Sequence, residues 1–212
     1  PRGADGAAFA GAALAELGVV FEVPDTDRAR VPRTGPLVVV ANHPFGGVEG
    51  LFLLQMLLEC RPDVRVLGNT LLGRIPEIAP YVLPVDVLRT STAAARANAL
   101  AARRALRWLG DGHVLAIFPA GEVSARRGLL GPVRDRAWPQ SVARLIRLAR
   151  AAVLPVYFDG ANGAAFQAAG LLHPRLRTAL LPHELLNKRR RRLRVRIGTA
   201  LSPPRVEAFA GD

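Results

Sequence analysis

Cysteine occurs once in these 212 residues, as Cys60, which excludes an internal disulfide. It closes an apolar segment and reads as a small core residue. Lysine also occurs once, as Lys188, whereas arginine and alanine abound. Only 6% of residues are aromatic, so alanine and leucine must do much of the packing. No apolar run reaches the roughly 18–20 residues that cross a bilayer, so any membrane contact is expected to be peripheral. No signal peptide is visible, and the first residue is not methionine, so residue 1 is not expected to be a translation start. Acidic side chains are also scarce: 17 Asp and Glu against 29 Lys and Arg give a formal net charge of +12. That excess has two readings. One is a negative partner, whether nucleic acid, anionic lipid or a phosphorylated substrate. The other is the arginine usage of a GC-rich genome.

Half of the residues are hydrophobic, enough for a sizeable core in one domain of the larger size. The chain shows no internal repeat and no low-complexity linker. Residues 5–17 read as an alanine-rich helix and 24–35 as a polar loop. "PLVVVA", 36–41, is a β-branched run that reads as a buried strand, and "GLFLLQMLLEC", 50–60, as a helix apolar on nearly all sides. "VRVLGN", 64–69, is a second strand. Residues 91–110 form a helix that Ser91 or Thr92 can cap. "HVLAIFPAG", 113–121, is a strand running into a corner. Residues 140–152 are an amphipathic helix and 153–160 a fourth strand. In "RRLRVRIGTAL", 191–201, Leu193, Val195 and Ile197 alternate with arginines. Strands alternating with helices imply an α/β fold with a largely parallel sheet flanked by helices. Chemistry in such sheets collects beyond the carboxyl ends of the strands. "NHPFGGVEG", 42–50, and "FPAGEVS", 118–124, both sit there.

His43 precedes Pro44, which biases it to extended backbone and projects it from a strand end. Gly46 and Gly47 permit a tight turn or the close approach of another chain segment. Glu49 falls near a helix start, where the macrodipole favours a carboxylate. Two readings stand. In one, Glu49 orients His43 and raises its basicity, a two-part general base that needs no nucleophile from the protein. In the other, Glu49 is a helix-start residue and His43 a turn residue. There is no G-x-S-x-G elbow, and Cys60 is badly placed for attack.

"NHPFGGVEG" resembles the first motif of the glycerolipid acyltransferase superfamily, the 1-acylglycerol-3-phosphate acyltransferases and their relatives. That motif is an Asn-His pair, four variable residues, then an aspartate. "FPAGEVS" resembles the third motif, Phe-Pro-Glu-Gly-Thr-Arg-Ser. "VLPVYF", 153–158, resembles the fourth, and "LLGRIPEIAPYVLPVD", 71–86, lies where the second belongs. The departures are specific. Val48 stands at the family's aspartate and the carboxylate comes one residue later, as Glu49. Ala120 replaces the family glutamate, Glu122 the threonine, and Val123 the arginine that contacts the acceptor phosphate. The variant motifs are most similar to the putative hemolysin and ornithine-lipid acyltransferase branch.

The resemblance implies one acyltransferase domain over 1–212, with a glycerol-phosphate acyltransferase-like fold. Its parts are an N-terminal helix and loop (1–35), a catalytic core (36–160) and an apolar, basic C-terminal part (161–212). It implies transfer of a fatty acyl group from acyl-CoA or acyl carrier protein to a lysolipid hydroxyl. The acceptor would be lysophosphatidic acid or a related lysophospholipid or lyso-ornithine lipid. No bound cofactor and no metal are expected. His43 and Glu49 become the catalytic pair. Asn42, Gly46, Gly47, Pro119, Gly121, Glu122 and Ser124 become substrate-binding residues, with backbone amides at Gly46–Gly47 or Gly121 as oxyanion donors. Arg74, Arg126 and Arg127 are offered as phosphate ligands, against a plain reading as solvated surface.

His113, His173 and His183 show no metal-ligand spacing. Seven leucines (Leu171, Leu172, Leu176, Leu180, Leu181, Leu185 and Leu186) lead into the basic run Lys188–Arg192. This reads either as a segment lying on anionic lipid or as a core helix followed by solvated charge. The expected place is the cytoplasmic face of the membrane. Rival readings are a membrane or acyl carrier protein docking module with a broken catalytic pair, a hydrolase using the same histidine, and, remotely, a nucleic-acid-binding protein. No nucleic-acid partner is expected, because the arginines lack interleaved aromatics.

Overall fold

The computed structural model describes residues 5–86, 91–128 and 131–209. The first four and last three residues of the proposed domain lie outside them. The elements in chain order are α1 (Gly6–Leu17), β1 (Val20–Glu22), α2 (Asp25–Arg28), β2 (Leu37–Ala41), α3 (Val48–Cys60) and β3 (Val64–Asn69). Two 3-10 turns, Thr70–Arg74 and Ala79–Tyr81, lead into β4 (Val82–Val85). Then come α4 (Thr92–Gly110), β5 (Val114–Ile117), β6 (Ala125–Arg126), β7 (Val133–Arg134), α5 (Gln140–Ala149) and β8 (Ala152–Phe158). The chain finishes with α6 (Ala164–Leu172), α7 (Pro174–Ala179), α8 (Leu181–Asn187), β9 (Arg192–Ile197) and α9 (Pro203–Ala208).

Among the described residues the main sheet runs β1-β9-β8-β2-β5-β3-β4. Strands β8, β2, β5, β3 and β4 are mutually parallel, and β9 joins β8 antiparallel. The α/β reading with a largely parallel sheet is therefore correct. Strand β2 is central and buried along its whole length. Leu37, Val39 and Ala41 pack with α1 and α3 on one face, while Val38 and Val40 pack with α4 and α5 on the other. A strand covered on both faces tolerates no alternation, which is why "LVVVA" is unbroken.

Several boundaries differ from expectation, each for a local reason. Helix α5 stops at Ala149 because Arg150 adopts a left-handed backbone (φ 46°) and sends the chain into β8. The expected loop 24–35 holds the short helix α2, whose buried Asp27 accepts hydrogen bonds from the Ile197 amide and from Arg196. Strand β4 carries Pro84, tolerable because β4 is the outermost strand. The leucine-rich segment is divided. Leu181 and Leu185 turn inward against Gly46 and Gly47, whereas Leu171, Leu172, Leu176 and Leu186 are exposed, Leu172 at 80%. The basic run is divided too: Lys188 is buried and paired with buried Glu184 at 2.9 Å, while Arg189, Arg190 and Arg191 are exposed. No described helix is long and apolar enough to cross a membrane.

Candidate active site

The sheet delivers two corners to one place. Parallel neighbours β2 and β5 end together, Val40 beside Ile117, so the segments after them meet beyond the carboxyl edge. The segment after β2 carries His43 and the segment after β5 carries Phe118. Their rings stack with centroids 4.4 Å apart. At the far end of the same corner, the Ser124 amide donates to the His43 carbonyl at 2.8 Å. Residues 118–124 are thus held to His43 at both ends.

Glu49 sits in the first turn of α3, entirely buried. Its Oε1 accepts from the amides of Phe45 and Gly46 at 2.8 Å each, and its Oε2 from Gly47 at 3.0 Å. Oε1 also lies 3.0 Å from His43 Nδ1, although off the line of a straight hydrogen bond. Burial alone would raise the Glu49 pKa. The charge of His43, its contact, and the Gly46 and Phe45 amides outweigh burial and hold it below its ordinary value. The extra methylene is what permits this. The family position, Val48, is buried in the core, and from one residue further along a glutamate reaches back over the glycines.

Of the two glycines, Gly46 is required by space. Gly46 has φ +90°, and a Cβ there would lie 2.6 Å from Leu181 and 2.9 Å from Val123. Their amides, however, are directed at Glu49. The Gly121 amide is likewise bonded to the Phe118 carbonyl at 3.1 Å. All three amides nominated as oxyanion donors are engaged within the protein.

The remaining sequence candidates fall into three groups. Asn42 spends both amide groups on Phe158, donating to its carbonyl at 2.9 Å and accepting from its N–H at 2.7 Å. It clamps β2 to the end of β8 and is a structural fastening. Pro119 is buried in the corner. Glu122 bridges two arginines, Arg127 at 2.8 Å and Arg177 at 2.7 Å. Arg126 is exposed on β6, its backbone amide held by Gln167 at 2.8 Å. Arg74 is exposed on the turn after β3, two strands from β2 and so roughly 10 Å across the sheet. His113 stacks on Trp108 beside the amino end of β5, away from this corner, and His173 caps α7. No three His, Cys, Asp or Glu side chains among the described residues are grouped as a metal site.

Two participants carry no sequence signal. Arg177 comes from α7 and is only 12% exposed at its side chain. Asp135, just after β7, accepts from the His43 amide at 3.3 Å, from the Ser124 hydroxyl, and from Trp138 Nε1 at 3.1 Å. With Ser124 it brackets the His43 backbone on both sides. Asp135→Ala is expected to lower turnover roughly tenfold by loosening that bracket. Asp135→Asn, which keeps an acceptor for the His43 amide, should restore most of it. Equal loss in both variants would show that the carboxylate matters for another reason.

Comparison with known proteins bears on the family and the fold. The family model described as Acyltransferase matches residues 6–211. A lyso-glycine lipid O-acyltransferase of Phocaeicola vulgatus is 30% identical over 138 residues, covering 64% of this chain and 46% of that protein. One of the same name from Bacteroides thetaiotaomicron is 29% identical over 137 residues, 64% of this chain and 47% of its own length. The matched region thus spans about half of these relatives. The crystal structure of the 1-acyl-sn-glycerophosphate (LPA) acyltransferase of Thermotoga maritima superposes with a TM-score of 0.55 at 18% identity. It covers 94% of this chain and 68% of that one, and shares its fold. With its two corner motifs joined at His43 and the family model running nearly end to end, the chain belongs to the acyltransferase family.

Proposed function

We propose that this protein transfers a fatty acyl group from a thioester, acyl-CoA or acyl carrier protein, to the hydroxyl of a lysolipid bearing an amino-acid head group. The observation that carries this reading is the His43–Glu49 contact on a buried, amide-held carboxylate. With Glu49 ionised, Nδ1 keeps its proton and Nε2 is the base. Nε2 takes the hydroxyl proton as the oxygen attacks the thioester carbonyl. The tetrahedral adduct collapses, the C–S bond breaks, and the departing thiolate takes the proton back from Nε2. No acyl-enzyme is formed. The docking-module reading rests on the shifted Glu49 and the altered "FPAGEVS" motif, and the Glu49–His43 contact speaks against the first of these. The names of the lyso-glycine lipid relatives favour an amino-acid head group over glycerol phosphate.

We further propose that the reaction takes place at an anionic membrane on its cytoplasmic face. Exposed Leu171, Leu172 and Leu176 on α6 and α7, with Arg175 beside them, supply an apolar and basic surface.

The test is acyl transfer in anionic vesicles from labelled acyl-CoA and acyl carrier protein. Acceptors are the lyso forms of N-acylglycine and N-acylornithine lipids, with lysophosphatidic acid alongside. Transfer to an amino-acid lysolipid is expected. Acceptor-independent release of free fatty acid would replace the reading with a hydrolase, and transfer to lysophosphatidic acid alone would move the acceptor to glycerophospholipids.

A further inference from the structure

A third corner meets the first two. Strands β2 and β8 are parallel neighbours that end together, Ala41 beside Val156, so the segment after β8 also emerges at the carboxyl edge. It carries Asn162, which is buried. Asn162 Nδ2 donates to the Phe45 carbonyl at 3.1 Å, across 117 positions of sequence. That carbonyl belongs to the same peptide unit as the Gly46 N–H, which donates to Glu49 Oε1 at 2.8 Å. One peptide plane therefore links Asn162 to the carboxylate beside His43. Asn162 holds its oxygen and Glu49 holds its hydrogen.

This peptide needs such a hold. Gly46 has φ +90°, and glycine takes positive and negative φ about equally well. With no Cβ at Gly46 to stop it, the plane between Phe45 and Gly46 can turn over. Turned over, it aims its carbonyl at Glu49, oxygen against oxygen, and withdraws one of the three amides that hold the charge. Asn162 opposes the turn from the far side, because the turn would strip its buried donor of an acceptor.

Asn162 is itself fixed in the same manner. Its carbonyl and the Gly163 N–H form one peptide unit, gripped at both ends. Gln167 Nε2 donates to the carbonyl at 3.3 Å, and the N–H donates to Glu184 Oε2 at 3.1 Å. Gln167 Oε1 in turn accepts from the Arg126 amide at 2.8 Å. A single buried side chain thus ties the segment after β8 to the one after β5. Asn162 Oδ1 has no protein partner among the described residues, so the fold uses the donor end of this amide.

We propose that Asn162 is a positioning residue for the base. By holding the 45–46 peptide it keeps the Gly46 amide on Glu49, and so keeps Glu49 ionised and seated against His43 Nδ1. The inference rests on the acyl-transfer reading above and adds to it a residue that acts through Phe45 and Gly46.

The test reads the imidazole directly. Nitrogen-15 spectra of His43 distinguish a proton on Nδ1 from one on Nε2, whether or not the protein turns over. The unmodified protein should show the Nδ1–H form. Asn162→Ala, and Asn162→Leu, which fills the space of the amide without a donor, should each show a mixture of the two forms. In both, kcat should fall roughly tenfold while KM for thioester and acceptor changes less than about twofold, the pattern of a misaimed base with substrate contacts intact. Val195→Ala, a truncation in the buried core on β9, is the control for lost stability and should keep the Nδ1–H form and its kcat. If Asn162→Ala does not fold, Asn162→Leu carries the test. A folded Asn162 variant that keeps the pure Nδ1–H form overturns the inference. So does a Val195→Ala protein with the same mixture and the same loss of kcat. Failure of the functional reading looks different: the tautomers respond as described, but the unmodified protein acylates no acceptor.

Discussion

Replacement of His43 by alanine is expected to lower acyl transfer by roughly 10²- to 10⁴-fold, the share of rate that a positioned general base supplies. The variant should remain folded. The His43 backbone is bracketed by Ser124 and Asp135 whatever its side chain. Glu49 keeps all three amide donors after the imidazole has gone. What is lost is the stacked contact with Phe118 and the nitrogen that moves the proton. Circular dichroism and a thermal melt should match the unmodified protein within a few degrees. A folded His43→Ala protein retaining a tenth or more of its activity would place the base elsewhere.

Glu49→Gln should injure both activity and folding. A carboxamide has one acceptor oxygen. If it faces Phe45 and Gly46, its NH₂ group points at the Gly47 amide, donor against donor, with no water to relieve them. The expected cost is about 3 kcal/mol, read as a fall of roughly 1–2 M in the urea midpoint. Transfer should fall by about 10²-fold or more, because Nδ1 loses the charge that fixes its tautomer. Glu49→Asp should not rescue it, since the chain is then one methylene short of the amides. Acid supplies a second check. The folded state holds Glu49 below its ordinary value of 4.5. A lowered carboxylate pKa contributes stability that is present above the unfolded value and lost as pH falls through the folded one. The stability gap between the unmodified protein and Glu49→Gln should therefore be full near neutrality and shrink below about pH 4.5. A gap that stayed constant down to pH 3 would mean that folding does not lower the Glu49 pKa.

The division between what the residues announced and what they hid follows sequence distance. His43 and Glu49 are joined by one turn, so Pro44, two glycines and a helix start were enough to suggest their meeting. Phe118 and Ser124 carried a motif. Asp135 reaches His43 from 92 residues away, and Arg177 reaches Glu122 from 55. Asp135 follows β6 and β7, which are two residues each and show no periodicity, and Arg177 lies on the six-residue α7 among other arginines. Asn42 carries a further role that its motif does not show, closing β2 onto Phe158. Its place in a motif suggested substrate, but an amide with a donor and an acceptor side by side is equally suited to closing a gap between strand ends. Glycine type predicted the tight corner correctly. It could not predict where the N–H groups would aim, and all three aim inward. The apolar tail read as one surface because leucine spacing does not distinguish the two that cover Gly46 and Gly47 from the four left outside.

Under the proposed acyl transfer, the buried pair Lys188–Glu184 has a chemical consequence. Thioesters acylate free amines without help, and a deprotonated surface lysine is the usual victim. Here the one lysine amine is locked against a carboxylate at 2.9 Å and is only 7% exposed at its side chain. All other Lys and Arg positions in the sequence are arginine, whose guanidinium does not give up its proton to become a nucleophile. A thioester donor of the proposed kind would thus meet a strongly positive exterior that offers its carbonyl no exposed lysine amine. Labelling of Lys188 by an acyl thioester would then report the opening of α8 as much as the chemistry of the donor.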